Sequence, residues 1–162
     1  MKKITLLFST LLLIAFVSNA QPIEEGEAQL NAGFGLSTYG LPVYLGGEYG
    51  VAENFTVGGE LSYRKWGQYS DYSPSITTIA ALANYHVNEL LELPPEWDLY
   101  GGLTLGAAIW SSGSTFYSAR GTGLYFVGQV GGRYFFSDNF GVNLELGGGN
   151  YSGGKLGITL KI

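Results

Sequence analysis

From Gly26 onward, apolar and polar residues alternate with a period of two, in segments of about ten residues bounded by Gly, Ser, Asn, Asp or Pro. This alternation is typical of strands that present one apolar and one polar face. No window of helical length carries an apolar stripe with the helical period of about 3.6 residues. The pattern predicts eight strands, at 26–37, 41–51, 55–66, 75–87, 97–110, 122–136, 140–148 and 154–162.

The connections between these segments alternate in character. Residues 52–54 and 137–139 read as tight turns, and 88–96 contains Pro94 and Pro95. The links 67–74, 111–121 and 147–153 are longer and rich in Tyr, Ser and Gly, whereas 37–40 is short. An even number of strands with tight turns at one end and looser loops at the other is the plan of an outer-membrane barrel. We therefore predict an all-β fold, an eight-stranded antiparallel up-and-down transmembrane β-barrel.

Aromatic residues next to the tight turns indicate which face is outside. A soluble ligand-binding barrel turns its apolar face inward, whereas a membrane barrel turns it toward lipid and rings each interface with aromatic residues. Seven aromatic residues flank the three predicted turns and share the apolar parity of their strands: Tyr49, Phe55, Tyr85, Trp97, Tyr134, Phe136 and Phe140. We interpret them as a periplasmic aromatic girdle. A soluble periplasmic lipid-binding barrel is the less favoured alternative.

The first twenty residues have the features of an export signal. Lys2 and Lys3 precede an apolar run that ends at Val17, and Ser18-Asn19-Ala20 forms a small-x-small cleavage site. The run is shorter than the roughly 20 residues that a spanning helix needs. We expect residues 1–20 to be a cleaved signal peptide, 21–25 a short periplasmic segment and 26–162 the barrel.

The polar face of the strands carries charges of both signs. An eight-stranded barrel is about wide enough inside for side chains alone, and an unpaired charge there is costly. We therefore predict a packed polar lumen. The members predicted for its network are Glu48, Glu60, Arg64, Arg133, Asn143 and Glu145. Envelope structure or surface interaction is the expected role, with a narrow channel for small solutes as the alternative.

Composition narrows the function further. The chain has 13 acidic and 8 basic residues, which disfavours a nucleic-acid partner. It has no cysteine, and His86 is its one histidine. His86 lies at the predicted periplasmic end, where no serine is an obvious nucleophile, so we expect no catalytic residue, no metal site and no cofactor. Gly147–Gly149 is not followed by the GK[ST] pattern of a phosphate loop.

Two hairpins carry a resemblance to a known family. The stretch from Gly132 to Gly147, with Arg133-Tyr134-Phe135-Phe136 before the turn, resembles the penultimate hairpin of the small outer-membrane β-barrel domain family, the OmpA/OmpX-like porin superfamily. Residues 84–86 and 97–102 resemble its central hairpin. The resemblance covers essentially all of 26–162, although members of the family often end in an aromatic residue and this chain ends in Ile162.

The resemblance implies an outer-membrane location and leaves the role open. We expect a non-enzymatic integral membrane protein, present as a monomer. Its expected partners are the outer-membrane lipid bilayer, the barrel-assembly machinery during biogenesis, and an unidentified extracellular ligand that binds the loops.

Overall fold

Eight antiparallel strands close into a barrel in the computed structural model, which describes residues 23–37, 40–65, 74–111, 120–150 and 153–162. Each strand pairs with the next along the chain, and β8 pairs with β1. Every predicted strand is present, with both ends within two residues of the prediction. The strands are β1 Ala28–Leu36, β2 Val43–Ala52, β3 Phe55–Lys65, β4 Ser75–His86, β5 Trp97–Ser111, β6 Arg120–Phe135, β7 Phe140–Gly149 and β8 Gly154–Lys161.

Three described connections lie at one end of the barrel, which we call the tight-turn end. They are residues 53–54 between β2 and β3, 87–96 between β4 and β5, and 136–139 between β6 and β7. The opposite end, which we call the loop end, carries the other connections. Most of their residues lie outside the described part of the chain, as does the predicted signal peptide at 1–20. No helix in the described ranges is long and apolar enough to cross a membrane.

The two faces of the wall differ as the alternation predicts. Leu45, Leu103 and Leu144 point outward and each is more than half exposed, whereas Gln29, Asn84 and other polar residues of the opposite parity are buried. The same division holds in β4, where the sequence alternation is weakest. The barrel therefore has an apolar exterior and a polar-lined interior.

The interior also contains an apolar layer, which differs from the prediction of a polar lumen. Ile76, Ala108, Tyr125 and Val127 point inward and pack together with Ala80, and Trp110 packs against them. These residues lie toward the loop ends of β4, β5 and β6. The polar side chains thus fill the part of the lumen nearer the tight turns, and an apolar layer fills part of the rest.

The segment before β1 is attached to the tight-turn end. Gly26 N donates to the carbonyl oxygen of Gly50 (2.9 Å), and Gly50 N donates to that of Glu27 (3.0 Å). Gly26 has a φ of 90°, a conformation that favours glycine. Ile23 at the start of this segment is buried.

Gly102 of β5 lies at a point where neighbouring atoms of β4 leave no room for a Cβ atom. A Cβ atom on Gly102 would clash with Asn84 Oδ1 and with the Ala83 carbonyl oxygen, whereas on the neighbouring Gly101 its nearest contact would be 3.9 Å away. We predict that Gly102→Ala lowers the free energy of unfolding by about 1–3 kcal/mol, the usual cost of overpacking. Gly101→Ala is the control and leaves it within about 0.5 kcal/mol. Urea titration of the folded barrel measures both, and equal midpoints for the two variants would contradict the packing.

Candidate functional site in the barrel interior

The guanidinium of Arg133 is the centre of an ion cluster near the tight-turn end. Its Nη1 donates to Asp98 Oδ2 on the neighbouring strand β5 (2.7 Å), and its Nη2 donates to Glu48 Oε1 on β2, across the lumen. All three side chains are almost completely buried. Arg133 also lies over the ring of Tyr100, 4.1 Å from its centre. We call Arg133, Glu48 and Asp98 the Arg133 cluster.

The Glu48 carboxylate receives hydrogen bonds from three further groups. Asn31 Nδ2 donates to Oε1 (2.7 Å), while Asn84 Nδ2 (2.9 Å) and Thr56 Oγ1 (3.0 Å) donate to Oε2. With Arg133, these donors come from β1, β3, β4 and β6. One carboxylate therefore links β2 to four other strands, and its charge is compensated within the lumen.

A second cluster, the Lys155 cluster, lies farther toward the loop end. Lys155 Nζ donates to Glu60 Oε2 (2.6 Å) and forms an ion pair with Glu145 Oε1 (2.8 Å). Tyr100 Oη donates to the other oxygen of Glu145 (3.1 Å). Because Tyr100 also lies under Arg133, it joins the two clusters.

The structure brings five of the six predicted network residues into this connected interior. Glu48 and Arg133 contact each other, and Glu60 and Glu145 share Lys155. Asn143 lies opposite Arg133 in the register of β6 and β7, but its side chain accepts from Tyr44 Oη (2.6 Å). Arg64 lies apart, toward the loop end, where its Nη1 donates to Ser37 Oγ (3.0 Å).

The space left between these side chains is small. One cavity of about 20 Å³ lies between the two clusters, and another of about 20 Å³ lies beside Arg64 and Tyr125. Each is close to the volume that one water molecule needs. A larger cavity of about 640 Å³ lies at the tight-turn end, lined by Ile23, His86 and several glutamates of the turns.

Three inward-facing side chains form a hydrogen-bonded row that the sequence-based prediction does not include. Asp98 Oδ1 lies 2.6 Å from His86 Nδ1, and His86 Nε2 lies 3.1 Å from Thr56 Oγ1. A hydroxyl, an imidazole and a carboxylate in this order are also the parts of a nucleophilic triad. Thr56 is only 1% exposed, however, and its hydroxyl is also within hydrogen-bond distance of Glu48. The row therefore serves as a link between β3, β4 and β5.

The alternation of residues along the strands predicts only part of this arrangement. It places Thr56, His86 and Asp98 on the inward parity, yet their common height in the barrel depends on how adjacent strands are staggered. The stagger appears in the register, where Thr56 lies opposite Asn84 and His86 opposite Tyr100. In the described ranges, no group of three or more His, Asp or Glu side chains is arranged to hold a metal ion.

The seven aromatic residues assigned to the girdle all lie at the tight-turn end on the outer surface. Four of them form a continuous row of ring contacts: Trp97 with Tyr134 (4.9 Å between ring centres), Tyr134 with Phe136 (5.2 Å) and Phe136 with Phe140 (6.4 Å). Phe55 and Tyr85 face each other in the register of β3 and β4, and Tyr49 precedes the first turn.

We predict that Arg133→Leu lowers the free energy of unfolding by about 3–5 kcal/mol, because it leaves the buried Glu48 and Asp98 carboxylates without their cation. Urea midpoints of the folded barrel measure this loss. Lys65→Leu removes the same charge from an exposed position and changes the value by about 0.5 kcal/mol or less.

The double variant Glu48→Leu/Arg133→Leu distinguishes a lost ion pair from a packing defect. It recovers part of the loss caused by Arg133→Leu, since Glu48 is then no longer a buried charge without a partner. Wild-type midpoints in both variants would refute the cluster as a source of stability.

Comparison with known proteins gives matches at the level of structure. No protein-family profile and no curated protein sequence matches the chain. Among solved structures, the outer-membrane protein OprG of Pseudomonas aeruginosa matches with a TM-score of 0.67 at 11% identity, over 90% of this chain and 99% of OprG.

Two further structures match at lower TM-scores. The N-terminal β-barrel domain of Pseudomonas aeruginosa OprF matches with a TM-score of 0.57 at 16% identity, over 85% of this chain and 98% of that domain. Ail, the attachment invasion locus protein of Yersinia pestis, matches with a TM-score of 0.50 at 20% identity, over 85% of this chain and 95% of Ail. The closed eight-stranded barrel described above thus shares its fold with these three proteins.

Proposed function

We propose that the protein is an integral outer-membrane barrel without enzymatic activity, which serves envelope structure or interactions at the cell surface. The apolar exterior of the wall supports this proposal. Large apolar side chains from all eight strands are exposed on it, among them Phe34, Leu45, Leu61, Leu103 and Leu144. Exposed apolar patches on soluble monomers rarely exceed a few hundred Å². A bilayer covers such a continuous apolar surface.

The interior argues against the alternative of a soluble lipid-binding barrel. A carrier of this kind needs an apolar cavity large enough for an acyl chain, usually some 300–1,000 Å³. Here the centre of the lumen is filled by the Arg133 and Lys155 clusters, and the space between them is about 20 Å³. The same filling disfavours a channel, because a solute would have to separate buried ion pairs to pass.

Catalysis is disfavoured by access to the Thr56–His86–Asp98 row. His86 lines the cavity at the tight-turn end, but the Thr56 hydroxyl is not among the groups that line it. A nucleophile must reach its substrate, and this one is enclosed by Glu48 and His86. We therefore assign the row to barrel stability.

Location in the outer membrane is supported by two further features. Residues 1–20 have the pattern of an export signal, and the aromatic row at the tight-turn end has the composition of a membrane interface.

Ail, which shares the fold, has been crystallised with the heparin analogue sucrose octasulfate. By analogy we propose that the loop end of this barrel faces outward and makes contacts with extracellular ligands. The barrel-assembly machinery is its proposed partner during insertion, and the monomer its proposed state.

Arginine substitutions at two depths of the wall test the membrane assignment. Leu103, near the middle of β5, is 57% exposed, and Leu36, at the loop end of β1, is 68% exposed. In a bilayer, Leu103→Arg should lower the free energy of unfolding by about 2–4 kcal/mol and Leu36→Arg by about 0–1 kcal/mol, since the cost of a charge falls toward the interface. Urea unfolding from lipid vesicles measures both. If the protein is soluble without lipid and tolerates both changes equally, the proposal is wrong.

A further inference from the structure

The outer surface of β5, β6 and β7 contains a groove of about 750 Å³ that the proposed function does not use. Its floor includes Gly101 and Gly132, and its sides include Leu99, Val130 and Leu144. Building on the proposed membrane location, we propose that this groove is a binding site for an acyl chain of a phospholipid from the periplasmic leaflet.

Two glycines on the outward parity of adjacent strands line the groove. The open space lies above Gly101, whereas the Leu99 side chain leans over Gly132, its Cδ2 2.9 Å from where a Cβ atom would lie. Gly132 lies between Leu99 of β5 and Leu144 of β7 in the register, and Gly101 lies opposite Val130. At these two positions the wall has no side chain, whereas their neighbours are leucine and valine. A Cβ atom on Gly101 would have no neighbour closer than 3.9 Å, so the space above it is open.

The chemistry of the lining calls for an apolar occupant. Tyr100, Arg133 and Asn143 also border the groove, but they belong to the inward parity, and their polar ends are engaged in the lumen with Glu145, Asp98 and Tyr44 respectively. The backbone of this wall is paired in the ladders of β5, β6 and β7. Apart from the indole N–H of Trp97 and the hydroxyl of Tyr134 at the tight-turn end, the outward-facing side chains that line the groove carry no polar group. A partner strand would find no open edge along this wall.

The position of the groove matches the orientation of a phospholipid. Trp97 and Tyr134 border its tight-turn end, where their rings contact each other, and Leu146 and Leu156 border it farther toward the loop end. Tyr and Trp lie at the headgroup level of a bilayer. A chain that starts beside this aromatic pair and runs along the groove would enter the hydrocarbon region as the chains of the periplasmic leaflet do.

Native mass spectrometry of the folded barrel tests the proposal. The protein is folded into vesicles of phosphatidylethanolamine and phosphatidylglycerol, extracted into detergent, and examined for retained phospholipid. Gly101→Leu adds a side chain to the groove at a position where a Cβ atom would have its nearest contact at 3.9 Å. The matched control is Gly59→Leu, which adds the same side chain to the outward face of β3, where a Cβ atom would have its nearest contact at 3.5 Å.

We expect the wild type and Gly59→Leu to retain one phospholipid per barrel and Gly101→Leu to lose it. The proposal is overturned if the wild type retains no phospholipid. It is also overturned if Gly101→Leu retains as much phospholipid as the wild type, or if both variants lose it equally. A protein dimer that Gly101→Leu dissociates would overturn it in favour of a second copy as the occupant. Failure of the wild type to insert into the vesicles would instead contradict the membrane location on which the proposal rests.

Discussion

The ion pair between Arg133 and Glu48 crosses the lumen from β6 to β2, and the arrangement of the interior depends on it. A buried guanidinium is tolerated only where carboxylates and hydrogen-bond acceptors surround it, and a buried carboxylate needs the converse. Both conditions are met only when the wall is closed, because the partners come from opposite sides of the barrel. Closure and charge compensation are thus two aspects of one structural requirement.

Because the charged side chains are neutralised inside the barrel, the outer face of the wall can be apolar. Among the described charged side chains of the strands, all but that of Lys65 lie on the inward parity. The outward parity carries mainly leucine, valine, isoleucine, aromatic residues and glycine. Backbone groups are satisfied by the eight closed ladders, so the wall has no edge to present to lipid. The same division of faces accounts for the filled lumen. It also accounts for the recess of the proposed acyl-chain groove, because Gly101 lies on the outward parity opposite the larger Val130.

The sequence predicted the features that depend on neighbours along the chain. Strand ends such as Phe55, Ser75 and Trp97 agree because alternation and turn residues are local signals. The ion partners could not be predicted, since Arg133 and Glu48 are 85 residues apart and their heights in the barrel are set by the stagger of intervening strands. Near Ala108, the small residues of β5 blur the difference between the faces, so the apolar layer inside the barrel carried no clear signal in the sequence.

The closed barrel holds its charges inside, and we propose that its apolar face lies against a membrane. Fractionation of cells that express the full chain, followed by gel electrophoresis of boiled and unboiled samples, tests it most directly. We expect the protein in the outer-membrane fraction, with different mobilities before and after boiling, because the closed barrel resists detergent until heated. A protein recovered from the soluble periplasmic extract, with one mobility in both samples, would contradict it.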